Sequence, residues 1–106
     1  MKKAVVFVVL AMLVICSCAA QSANDAQRIV GTWVSENISN YTRTFVFNAN
    51  GTGTRTDSDD GKTFNFFWGV SASGELFIDG NFFKFALSPD GKRMFLNYDG
   101  NRYQKK

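Results

Sequence analysis

Histidine is absent from the chain, and its two cysteines, Cys16 and Cys18, both fall near the start. The first absence removes the commonest general base and metal ligand. The second leaves everything after Cys18 with no internal disulfide, no thiol nucleophile and no cysteine-based metal site. One proline, Pro89, interrupts the sequence, and no long segment carries a helical period. The apolar run from Ala4 to Ile15 is shorter than the ~20 residues a membrane-spanning helix needs. Excess positive charge is slight as well. Removing Lys2 and Lys3 from the 12 cations leaves 10 against 9 acids. No basic stripe remains to follow a phosphate backbone, so nucleic acid is not an expected partner.

What is present begins with an export device. Lys2 and Lys3 precede the apolar run and small residues follow it, the three-part plan of a secretory signal peptide. A transmembrane anchor extended through Ala20 is the alternative for this stretch, and it falls short on length. Two cleavage sites compete. Ile15-Cys16-Ser17-Cys18 resembles a bacterial lipobox, with an aliphatic residue three places and a small residue one place before the cysteine that takes the lipid. That resemblance implies a diacylglycerol thioether on Cys18 and an acylated, palmitate-type amino terminus, which would hold a lipoprotein at the bacterial cell envelope. Each buried methylene adds ~0.8 kcal/mol to such an anchor. Cleavage after Cys18-Ala19-Ala20, a small-x-small site, would instead release a secreted protein starting at Gln21. The expected division is residues 1–17 as signal peptide, 18–28 as lipidated cysteine and tether, and 29–106 as the folded domain. Within the tether, Asn24 can cap a helical turn through Arg28, and an unstructured linker is the alternative.

From Ile29 onward, turn signals recur about every ten residues, the rhythm of an all-β sandwich or barrel. Asn50-Gly51, Asp60-Gly61, Ser73-Gly74, Asp79-Gly80, Pro89-Asp90-Gly91 and Asp99-Gly100 supply the residues that tolerate positive φ. They delimit eight expected strands: 29–35, 41–48, 52–57, 62–70, 74–78, 81–87, 92–98 and 101–105. Alternation turns Tyr41, Phe45, Phe47, Phe64, Phe66, Trp68 and Val70 inward, followed by Leu76, Ile78, Phe83, Phe85, Leu87, Met94, Leu96, Tyr98 and Tyr103. A meander in which every connection is a hairpin closes most readily into an up-and-down barrel, which removes exposed edges. The expected fold is therefore all-β, a small eight-stranded antiparallel up-and-down barrel. An open, strongly curved sheet with the polar stretch Thr52–Thr56 near an edge is the other arrangement.

Gly31-Thr32-Trp33 resembles the opening Gly-x-Trp of lipocalins and the wider calycin group. Phe47-Asn48-Ala49-Asn50-Gly51-Thr52-Gly53-Thr54 is similar to a hairpin of small bacterial lipocalin-like lipoproteins. The resemblance covers residues 29–106 and implies a lipocalin-like barrel. The chain lacks the length, the later arginine signature and the C-terminal helix of true lipocalins.

An eight-stranded interior either fills with side chains or holds one small ligand. Aromatic residues burying ~150–250 Å² each favour a filled core around Trp33 and Trp68. The alternative is a shallow apolar pocket at the barrel mouth, formed by Trp33, Tyr41, Trp68 and Tyr98, with Tyr41, Tyr98 and Thr54 orienting a small apolar ligand. No serine has a His or Lys partner suggested by a motif. Asp57-Ser58-Asp59-Asp60-Gly61 fails the EF-hand pattern, since its glycine comes one position early and Trp68 stands where Glu is required. The residues imply no enzyme, no cofactor and no metal. A two-residue loop at Asp99-Gly100 would set Leu96 opposite Tyr103, and a three-residue loop at Ser71-Ala72-Ser73 would set Phe67 opposite Phe77. On the outer face the expected registers also set Phe77 opposite Phe82, with Phe95 one strand further, beside Lys84. Such a row is either structural or a contact surface for another envelope or secreted protein.

Overall fold

The computed structural model describes residues 24–106. The expected signal peptide, the expected lipidation at Cys18 and the alternative cleavage near Ala20 fall on residues outside those described. A short helix, α1 (residues 24–29), leads into nine strands. They are β1 (Gly31–Ser35), β2 (Arg43–Phe47), β3 (Thr52–Asp57), β4 (Thr63–Val70), β5 (Leu76–Ile78), β6 (Asn81–Phe83), β7 (Phe85–Leu87), β8 (Arg93–Leu96) and β9 (Asn101–Lys105). Every pairing is antiparallel, in the order β6-β5-β4-β3-β2-β1-β9-β8-β7. The result is a nearly closed up-and-down barrel.

The strand count differs from eight because the expected strand 81–87 is divided at Lys84. Its first half pairs with β5, setting Phe83 opposite Leu76. Its second half pairs with β8, setting Phe85 opposite Leu96. One stretch thus serves both neighbours in turn, and the Lys84 carbonyl accepts the Asn97 N–H at 2.9 Å across the break. Strands must tilt to close a barrel, and a stretch this short meets each neighbour over only half its length.

Inside and outside follow the alternation. Trp33, Phe45, Phe47, Phe66, Trp68, Leu76, Ile78, Met94, Leu96 and Tyr103 are buried in one core. Each such side chain contributes roughly 1.5–3 kcal/mol on burial, which a small domain without disulfides needs. Phe45 packs on Phe47 at 5.6 Å between ring centres, and Phe66 meets both edge-on at 6.1 and 5.6 Å. Gly53 makes this approach possible. A Cβ there would lie 2.5 Å from Phe66 Cε1 and 2.6 Å from the Val46 carbonyl oxygen, so only glycine lets the ring sit against β3. The Asp79-Gly80 turn has positive φ at both residues, 47° and 90°, as a two-residue hairpin of this hand requires.

Ile29, expected to open the first strand, instead ends α1 and is fully buried. The Trp33 indole N–H donates to the Ile29 carbonyl at 2.8 Å, and Val30 N–H donates to Ala26 at 3.1 Å. Arg28 donates to the Ser88 carbonyl at 3.0 Å, and Lys105 Nζ donates to the Arg28 carbonyl at 2.9 Å. Residues 24–28 of the expected tether are therefore helical and packed against one end of the barrel. The opposite end, ringed by loops 36–42, 58–62, 79–80 and 97–100, has no such cover among the described residues.

Two expected registers shift by two residues. Phe77 pairs with Gly69 rather than Phe67, because residues 71–75 form a longer turn than the three-residue loop expected. Leu96 pairs with Asn101 rather than Tyr103, because Gly100 N–H bonds back to Leu96 and takes Tyr98 out of the strand. An even shift leaves each side chain on its face, so the core survives both corrections.

Candidate functional site

The open mouth is built from charged residues that alternate with the core aromatics. Arg43 precedes Phe45 by two residues and so shares its inward face. On β3 the same parity gives Gly53, Arg55 and Asp57, and the register sets Arg43 opposite Asp57 and Phe45 opposite Arg55. Arg43 grips Asp57 with two prongs, Nε to Oδ1 at 2.8 Å and Nη2 to Oδ2 at 3.3 Å. Its Nη1 donates to Asp99 Oδ2 at 2.8 Å, and its Nη2 also meets the Tyr41 hydroxyl at 3.2 Å. Tyr103 donates its hydroxyl hydrogen to Asp99 from below, and Asn101 N–H donates to Asp99 Oδ1 at 3.0 Å.

These contacts move the titrations apart. Burial alone would lower the Arg43 pKa, but its hydrogen bonds to Asp57 and Asp99 and the charge of Asp57 hold it above its ordinary value. Burial and the bond to Asp99 push Tyr103 well above the usual phenol. Burial would raise Asp99, yet the donors Tyr103, Asn101 and Arg43 win and keep it below its ordinary 3.8. The lowered Asp99 favours the folded state above pH 3.8, a contribution lost as pH falls through the folded pKa. The raised Tyr103 acts at the other limb: the folded state keeps a proton that the unfolded chain releases above pH 10, so stability falls there. Urea unfolding across pH should therefore show loss at both limbs. In Asp99→Asn the acid limb should flatten; an unchanged acid limb would contradict this linkage.

Beside the network lies a hollow of about 260 Å³, lined by Arg55, Phe64, Phe83 and Tyr98, with Phe45, Phe66 and Ile78 below. The Arg55 guanidinium sits 4.7 Å over the Phe64 ring and 5.8 Å over that of Tyr98, and donates to the Tyr98 hydroxyl. Phe83 meets Tyr98 edge-on at 5.0 Å. Phe64, expected inward, is 48% exposed because it lies at the rim, beyond the reach of the packed core.

Of the expected pocket residues, Tyr98 lines this hollow and Tyr41 stands beside Arg43. Trp33 and Trp68 do not line it. Both are core residues whose indole N–H groups are satisfied, by the Ile29 and Asn48 carbonyls respectively. Thr54 pairs with Val46 and Asn65 and so faces outward, on the opposite parity to Arg55. Sequence reasoning missed Arg43, Arg55, Asp57 and Asp99. The signal was available: two arginines and an aspartate share the inward parity of adjacent strands.

The outer face carries the second candidate. Phe77 pairs directly with Phe82, ring centres 5.5 Å apart. Phe67, on β4, stands beside the Asp79 turn rather than opposite Phe77, its N–H donating to Asp79 Oδ1 at 2.9 Å and its carbonyl accepting the Asp79 N–H at 3.0 Å. Phe67 is 68% exposed and Phe82 57%. Phe95 is also exposed but stands apart, opposite Ala86 and Arg102 rather than beside Lys84.

These features define a small antiparallel up-and-down β-barrel with one covered and one open end, an architecture compatible with the calycin type. No protein-family model matches the chain, no curated protein matches it, and no solved structure matches it.

Proposed function

We propose that the chain is an exported lipoprotein, anchored through Cys18, whose lipocalin-like barrel is a non-catalytic binding module for another protein of the envelope or secreted space. The observations that carry this reading are the outward-facing pair Phe77 and Phe82 and the exposed Phe67 ring on the neighbouring strand. Apolar patches that remain in water on a small monomer mark contact sites, and aromatic side chains supply most of the anchoring energy at such contacts. The occupant is a protein presenting an apolar surface of its own. The second reading, a carrier of a small apolar ligand, draws its support from the hollow under Phe64 and Phe83.

The test is native capture from envelope extract with the tagged chain and with Phe67→Ser plus Phe82→Ser. The double variant should stay folded, losing under about 1 kcal/mol, and should no longer retain the protein that the unmodified chain retains. Equal capture by both chains contradicts the reading, as does unfolding of the variant, which would make the rings part of the core.

A further inference from the structure

Arg55 is held in place but poorly paired. Of the five N–H donors of a guanidinium, one meets an acceptor among the described residues, the Tyr98 hydroxyl. The Nε–H is shut away from water with no acceptor among the described residues. Its nearest carboxylate, Asp57, is already gripped by both prongs of Arg43 and stands 3.7 Å from Arg55 Nη2. Two rings flank the guanidinium, and the side chain retains 20% exposure. An arginine serving only to neutralise Asp57 would take the close, two-pronged position that Arg43 occupies. Arg55 instead forms part of the wall of the hollow.

We infer that the open mouth takes a small monocarboxylate with a flat apolar body, its carboxylate paired with Arg55 and its body among Phe64, Phe83 and Tyr98. This rests on the small-ligand reading of the mouth and adds the chemical class. A planar fork matches a carboxylate in two parallel bonds, and such charge-assisted bonds are the strong ones. The ligand is small because the hollow, about 260 Å³, lies below the roughly 300–1,000 Å³ of pockets for drug-sized molecules. It carries a single acid because Asp79, also on the lining, would repel a second.

Benzoate and its neutral counterpart benzamide are the probes, titrated into the ¹⁵N-labelled full chain in a neutral maltoside detergent at pH 7. Benzoate should bind about tenfold or more tightly than benzamide, moving the Arg55 Nε–H resonance together with the Asn81 and Tyr98 amides. Arg55→Gln should abolish that preference while leaving benzamide binding as it was. Tyr98→Phe, which keeps the ring and frees another Arg55 donor, should retain benzoate binding and serves as the second variant should Arg55→Gln not fold. Equal binding of the two probes overturns the carboxylate assignment and leaves the small-ligand reading standing. No response at the mouth to either probe overturns both.

Discussion

Arg43→Met lowers the stability of the domain by about 3–5 kcal/mol, the cost expected when one partner of a buried ion pair is removed. Arg43 and Asp57 are only 13% and 12% exposed, and the same cation also answers Asp99. Without it, two carboxylates remain in the barrel mouth with Arg55 as the nearest cation, 3.7 Å from one of them. A domain of this size holds a total near the lower end of the usual ~5–15 kcal/mol, so the loss approaches the whole. Adding Asp57→Asn and Asp99→Asn to Arg43→Met removes the stranded charges and should recover most of it. Urea denaturation of the three chains measures this directly. A loss below ~1 kcal/mol for Arg43→Met would mean that the network behaves as a solvated surface pair.

Trp33→Ala should cost about 3–5 kcal/mol, by removing the largest fully buried side chain of the core. The loss extends beyond packing, because the indole N–H holds the Ile29 carbonyl at 2.8 Å and so ties α1 to the barrel end. Lys105 Nζ, 5.5 Å over the Trp33 ring, loses its aromatic face at the same time. Trp33→Phe separates the two contributions. It keeps an aromatic ring but leaves the Ile29 carbonyl unpaired, at about 1–3 kcal/mol. Thermal unfolding gives the totals, and amide exchange at Val30, whose N–H bonds Ala26, reports whether the helix has come loose. A stable Trp33→Ala variant with a protected Val30 amide would contradict this placement of Trp33.

The core was readable from alternation because both register errors were even. Phe77 meets Gly69 and Leu96 meets Asn101, each two residues from expectation, and neither shift turns a side chain over. Loop lengths were less legible, since the longer turns at 71–75 and 97–100 depend on hydrogen bonds back to Ser71 and Leu96 that no dipeptide motif announces. The break at Lys84 was not legible at all: it follows from barrel closure, a property of the whole sheet rather than of residues 81–87. Ile29 reads as a strand residue by type, and packing of α1 against the barrel overrides that preference.

The mouth was half legible for a different reason. Tyr98 was found because an aromatic residue on an inward parity draws the eye, whereas Arg43, Arg55 and Asp57 occupy the same parity and were passed over as polar. Burial of charge is costly unless paired, and the pairing becomes visible only once β2 and β3 are in register. Asp99 comes from a loop fifty-six positions beyond Arg43 in the chain, and only the fold brings it to that guanidinium. Of the outer aromatic residues, the Phe77–Phe82 pairing was legible from the Asp79-Gly80 turn, whereas the positions of Phe67 and Phe95 depended on registers that the loop at 71–75 and the break at Lys84 changed.

Closure around residues 81–87 is the claim on which the core, the mouth and the outer strip all depend. Cross-strand nuclear Overhauser contacts in the full chain test it most directly. The closed barrel predicts contacts from Phe83 to Leu76 and from Phe85 to Leu96 in the same molecule, along with Trp33 to Lys105. Contacts to one neighbour only, with the other strand left as a free edge, would contradict it and establish the open, curved sheet.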